Sequence, residues 1–238
     1  MPPDSHGAGG RFGPDVYAAW RDSSLGEITE ALEHRLILDM AGPVPGRAVL
    51  DVGSGDGTLL SVFRGLGSAR IAGCDPDPRM VDRARALLAD GPAEVSVAPA
   101  QSLPFPDASF DVVTCITVLT FVPDAGAAVR EMARVLRPGG RLVIGDLGKW
   151  SYWAARRRIR GWLGAKLWQT AHFRTAGELA GLVRAAGLTQ GPIHGAIFFP
   201  PWTRLARLMA RFDSRLGAMT TIGAAFLAVQ GTKPPAGG

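Results

Sequence analysis

The chain has 238 residues, of which 47% are apolar and 20% charged, with two cysteines and a formal net charge of +5. That is enough chain to bury one sizeable core unaided, so neither disulfides nor a metal is needed to hold the fold. The charge is split unevenly: residues 147–238 carry 13 Lys and Arg against 2 Asp and Glu, while residues 1–146 carry 13 against 19.

Residues 1–14 are rich in Gly, Pro and polar groups and read as a loose terminus with no signal-peptide run. Residues 15–41 have helical periodicity, with Val16, Trp20, Leu25, Ile28, Leu32 and Leu36 near one face, and Gly42-Pro43 stops them. Ala48 to Val52 is a short apolar strand, followed by Gly53-Ser-Gly-Asp-Gly57 and a helix to Leu66. Strands follow over 70–75, 93–98, 110–117 and 141–145, with helices over 78–89 and 125–136 between them. Strict alternation of this kind predicts a doubly wound α/β sheet, mostly parallel, with helices on both faces.

The pattern changes after Gly148. Residues 150–168 are aromatic and basic, 176–186 form a helix, 192–199 a strand, 202–217 an amphipathic basic helix and 224–231 a last strand. Residues 233–238 read as a disordered tail. Residues 217–231 are too short and too polar to span a bilayer. Cys74 and Cys115 lie in apolar strands with no zinc or disulfide spacing, so the chain is expected in a reducing, cytoplasmic compartment with no metal site.

The segment that carries chemistry is Val49 to Gly57. Glycines two apart let the backbone turn sharply at a strand's carboxyl end and approach a ligand with no Cβ between. A dinucleotide fold also places glycines here, but its third glycine falls where this chain has Thr58. Asp75 ends the next strand, where a carboxylate accepts hydrogen bonds from ribose hydroxyls in either kind of site.

At these residues the chain resembles the class I S-adenosylmethionine-dependent methyltransferases, in their small-molecule, ubiquinone-biosynthesis-like branch. The likeness rests on Val49–Gly57, Gly73–Met80, Leu103–Val113 and Arg134–Leu142, four blocks in order. It implies a Rossmann-like seven-stranded sheet with an antiparallel last strand. It also implies S-adenosylmethionine as cofactor, with Asp51, Gly53, Gly55, Gly57, Asp75 and Pro76 around its methionine and ribose parts. Ala100 and Gln101, Ile116 and Thr117, and Tyr17 on the leading helix complete the implied set. Pro99 stands where the family usually carries an acid near the adenine.

Methyl transfer is an in-line displacement, so the protein must align the partners and exclude water, and it needs a base only for a protonated nucleophile. Asp146, His172 and His194 are the candidates for that base. The expected layout is an arm and leading helix over 1–41, the methyltransferase domain over 42–232 and a cap-like insert over about 149–174. The insert reads as a solvated helix, a lid over an apolar or anionic small-molecule substrate, or a peripheral membrane contact. No nucleic-acid recognition module is present. A nicotinamide-dependent oxidoreductase and a non-catalytic S-adenosylmethionine-binding module are the competing expectations.

Overall fold

All five residues of β1 (Ala48–Val52) are buried, as a central parallel strand covered on both faces requires. In the computed structural model, which describes residues 19–235, β1 pairs in parallel with β2 (Arg70–Asp75) and with β4 (Phe110–Ile116). β3 (Glu94–Val97) extends the sheet beyond β2, and β5 (Leu136–Leu147) lies beside β4, both in parallel. β7 (Phe226–Thr232) is antiparallel to β5 and to β6 (Thr189–Ala196). The order is β3-β2-β1-β4-β5-β7-β6, so the seven-stranded, mostly parallel sheet with an antiparallel last strand is as expected. The chain reverses its winding between β1 and β4, and a crevice opens beyond the carboxyl ends of strands at such a point.

Two apolar layers flank the sheet. One gathers Ile37 and Met40 of α1 (Ser24–Ala41), Leu60 and Phe63 of α2 (Thr58–Gly65), Val81 and Ala84 of α3 (Pro78–Leu87), and Phe226. The other gathers Val129 and Met132 of α4 (Ala125–Val135) and, further along the chain, Leu179 and Val183 of a later helix. Each fully buried Leu, Phe or Met contributes about 1.5–3 kcal/mol through area removed from water. The second half adds α5 (Tyr152–Trp162), the single turn α6 (Lys166–Gln169), α7 (Ala176–Ala185) and α8 (Thr203–Met219). The later helix is α7, which starts with a full capping box between Thr175 and Glu178.

Four local features depart from the sequence reading. The leading helix is interrupted: Ser23 N–H donates to Trp20 O at 3.1 Å, and the Ser23 hydroxyl accepts from Gly26 N as a fresh N-cap for α1. β5 begins five residues earlier than the apolar run from Arg141, because Leu136 pairs with Phe110 before a register shift. β6 ends at Ala196 because Ile197 turns left-handed, φ +63. Lys233, placed in a loose tail by composition, is anchored instead: its ammonium donates to the carbonyls of Ala133 and Leu136 at 2.7 and 2.8 Å, at the end of α4.

Candidate functional site

The carboxyl ends of β1 and β4 open into a cavity of about 620 Å³. Asp51, Gly53, Gly55, Asp75, Pro76, Ala100, Gln101, Ile116 and Thr117 all border it, so nine residues from four separate segments of the sequence converge on one space. Gly55 adopts φ +53, and a Cβ built there would have nothing within 4 Å, so the bare backbone faces open cavity. Gly57 has a different duty. It caps α2 at φ +84, a Cβ there would meet the Ala84 Cβ at 2.9 Å, and it does not line the cavity. Tyr17 lies outside the described residues.

Asp75 braces the turn across the strand gap. One carboxylate oxygen accepts from Gly55 N at 3.1 Å and the other from Asp77 N at 2.9 Å. Asp51 is buried and accepts from the Thr114 hydroxyl at 2.6 Å; burial, opposed by that bond and reinforced by Asp75, lifts its carboxyl to about 7. On the outer side Arg21 donates to Asp56 and to the Thr58 hydroxyl, both at 2.6 Å, and so ties the segment before α1 to the glycine turn. Thr117 N–H donates to Gly145 O while Thr117 itself is left-handed, φ +56. A β-branched residue is uncommon there, and Ile197, the second such case, also borders the cavity. The Asp213 carboxylate accepts from Ile197 N and Phe198 N at 2.9 and 3.1 Å and holds that turn.

The far half of the cavity is built by α1 and α5. Glu30, Glu33 and His34 project from α1; Trp153, Arg156, Arg157 and Arg160 project from α5, and Phe121 and Trp168 close the wall. Spacings of three and four residues put each set on one helix face. The Arg157 guanidinium sits over both the Trp153 ring, at 5.2 Å, and the Trp168 ring, at 5.0 Å. Burial lowers its pKa to about 10, with Glu33 opposing, so it stays charged at neutral pH. Glu33 touches cavity space but is otherwise surrounded by protein; burial raises its carboxyl to about 7 against the pull of Arg157. Among the described residues Glu33 makes no hydrogen bond or ion pair. Burial, then Arg21, holds the His34 imidazole below its usual value. A carboxylate tuned near neutrality in an aromatic pocket can take up a proton.

The three residues expected as bases lie elsewhere. Asp146 is fully buried and accepts from the Thr120 hydroxyl, from Leu147 N at 3.0 Å and from Arg174 at 3.0 Å, so its oxygens serve a buried ion pair. His172 is exposed, with its N–H on Thr120 O, and His194 sits on β6 opposite Ala228; neither lines the cavity. Glu30, Glu33 and His34 were missed, while Arg157 falls in the insert over about 149–174 read as a lid. The signal for the three was a second, polar stripe on α1, Thr29-Glu30-Glu33-His34, which a periodicity argument assigns to solvent.

The methyltransferase-domain family profile matches residues 50–144. A ubiquinone biosynthesis O-methyltransferase of Xanthomonas axonopodis pv. citri is 34% identical over 176 residues, covering 71% of this chain and 73% of that protein. The chain belongs to the class I S-adenosylmethionine-dependent methyltransferases. The nicotinamide reading falls with that assignment. Among other members, the 27-O-demethylrifamycin SV methyltransferase of Amycolatopsis mediterranei is 41% identical over 136 residues, covering 53% of this chain and 48% of the relative. This chain thus spans about half the length of several of the curated methyltransferases it matches. A solved S-adenosylmethionine-dependent methyltransferase from Thermotoga maritima superposes with a TM-score of 0.71 over 94% of this chain and 97% of that one, at 22% identity, which speaks for the fold alone.

The residues present fit the family's cofactor. The bare backbone at Gly55 leaves space where any side chain would intrude, and the Asp75 carboxylate, held against that turn, borders the same cavity. Ser54 Oγ, buried at the same turn, has no hydrogen-bond partner among the described residues.

Proposed function

We propose that this methyltransferase methylates a hydroxyl oxygen of a small, largely apolar, quinol-like acceptor. The observation that carries the reading is the continuity of one cavity from the glycine turn and Asp75 to the aromatic wall that holds Glu33. Bound S-adenosylmethionine supplies a methyl carbon made electrophilic by its sulfonium. Gly53 and Gly55 would give it room, Asp75 would accept from its ribose hydroxyls, Asp51 and Pro76 would flank it, the backbone around Ala100 and Gln101 would meet its adenine, and Ile116 and Thr117 would lie beside it.

On the acceptor side Trp153, Trp168 and Phe121 exclude water and stack against a flat ring. The Glu33 carboxylate takes the hydroxyl proton, and Arg157 favours its ionised form. A thiol acceptor needs desolvation more than a base, so a carboxylate titrating near neutrality favours a hydroxyl. The relatives act on both kinds of atom: a ubiquinone biosynthesis O-methyltransferase and the 27-O-demethylrifamycin SV methyltransferase favour oxygen, while Vibrio relatives are ubiquinone/menaquinone biosynthesis C-methyltransferases, so the hydroxyl reading rests on Glu33. The insert over about 149–174 acts as the cap of this space.

The test supplies labelled S-adenosylmethionine with a hydroquinone set and a thiol set across the pH range. Label should enter the hydroquinones, with kcat/KM rising through about pH 7 and the inflection gone in Glu33→Gln. Label confined to thiols, or an unmoved inflection in the variant, would overturn the hydroxyl assignment while leaving methyl transfer in place.

A further inference from the structure

Helix α5 has two faces of opposite duty. Trp153, Arg156, Arg157 and Arg160 face the cavity. The other face presents Tyr152, Ile159, Trp162 and Leu163 to solvent, with Trp162 83% and Leu163 81% exposed. Those positions recur at i, i+7, i+10 and i+11, so they form one apolar stripe on the outside of the cavity wall. Gly223 N–H donates to Trp150 O at 3.1 Å, which brings exposed Trp150 beside exposed Ile222 and extends the stripe toward the end of α8.

Helix α8 repeats the theme with cations. Arg204, Arg207, Arg211 and Arg215 are exposed and alternate with exposed Leu208, Phe212 and Met219. No acid occurs between Lys149 and Gly177, and the one carboxylate of α8, Asp213, is buried beneath Ile197 and Phe198. Large exposed apolar side chains set among cations, with no exposed acid among them, match an anionic surface that is apolar just beneath.

We infer that the outer faces of α5 and α8 dock on an anionic lipid surface, with Trp162, Leu163 and Phe212 entering the interfacial layer and the α8 arginines meeting headgroup phosphates. A second copy of the chain is the poorer occupant, because a two-fold pairing of this face sets arginines against arginines. A nucleic acid would satisfy the arginines and leave the aliphatic members of the stripe in water. The acceptor cavity then lies directly behind the docked helix, within reach of a bilayer-dissolved compound. The inference stands on the exposed faces alone and does not depend on the hydroxyl reading. No described helix is long and apolar enough to cross a membrane, so the contact is peripheral.

The experiment is co-sedimentation of the full chain with phosphatidylcholine vesicles, with and without phosphatidylglycerol, with neither cofactor nor acceptor added. Binding should require the anionic lipid, weaken with salt, and fall by about tenfold or more in Trp162→Ser/Leu163→Ser and in Arg204→Ser/Arg211→Ser. Melting temperature and S-adenosylhomocysteine affinity should hold in both variants, since none of these residues lines the cavity. Absence of binding to anionic vesicles, equal binding to neutral ones, wild-type binding by both variants, or a dimer that buries Trp162 and excludes vesicles would each overturn the inference.

Discussion

Asp75, at the end of β2, accepts the backbone N–H of Gly55 at 3.1 Å across the gap between strands. The carboxylate proposed to meet the ribose thus also sets the shape of the glycine turn. Asn keeps one acceptor oxygen and the volume but loses the charge. Asp75→Asn should weaken S-adenosylhomocysteine binding by about 2 kcal/mol, roughly thirtyfold, and lower the melting temperature as well, because its NH2 must face one of the two backbone N–H groups the carboxylate accepts. Calorimetry on the purified variant checks this; wild-type affinity would remove Asp75 from the cofactor site.

The two glycines of the turn should separate on substitution. Gly57→Ala forces a Cβ to 2.9 Å from the Ala84 Cβ at φ +84, and should cost about 2 kcal/mol of stability while sparing the affinity of the folded protein. Gly55→Ala meets no neighbour, so its stability cost should be only about 1 kcal/mol. Its cofactor affinity, however, should drop at least about tenfold because the methyl occupies cavity. Parallel melting and binding measurements decide, and an inverted pattern would contradict the division.

Glu33 should make stability depend on pH with a definite sign. Its carboxyl is raised from 4.5 to about 7 on folding, so the folded state holds the proton more tightly than the unfolded one. That contribution is complete below 4.5 and is lost as pH climbs through about 7. Wild type should therefore lose stability relative to Glu33→Gln over that interval and track it on either side. Urea unfolding of both proteins across the range measures the difference, and a flat or rising difference would show that Glu33 is not held in this way.

Arg174 and Asp146 form a buried pair at 3.0 Å, away from the cavity. Arg174→Met should destabilise by about 3–5 kcal/mol, because it leaves a buried carboxylate without its cation, and adding Asp146→Asn should restore much of the loss. Cofactor affinity should stay level throughout. Should Arg174→Met fold normally yet lose binding, the pair would belong to the site after all.

The strand-and-helix order was legible because short apolar runs alternate with amphipathic ones, and Val49–Val52, Ile71–Cys74 and Val112–Cys115 are too apolar to sit anywhere but between two layers. The glycine-turn half of the cavity was legible for a related reason: glycines and a strand-end acid lie close in sequence to the strands that position them. The half built by α1 and α5 was hidden. Glu33 looks like the solvent face of α1 until Arg157, more than a hundred residues on, is folded against it. His172 and His194 drew attention by residue type alone, and no spacing rule could report that neither borders the cavity. Asp146 was placed rightly at a strand end, but its partner Arg174 arrives from a loop that only the tertiary fold brings near.

The position of β7 bears on how the chain is made. It lies between β5 and β6, so β6 leaves the ribosome with no neighbouring strand and must wait for residues 226–232 before it can join the sheet. Until then β5 presents an open, apolar edge, a template for the wrong partner. A stop codon in place of Phe226 would therefore yield a five-stranded sheet with an unpaired β6, prone to aggregate, even though every segment bordering the cavity would already have been synthesised.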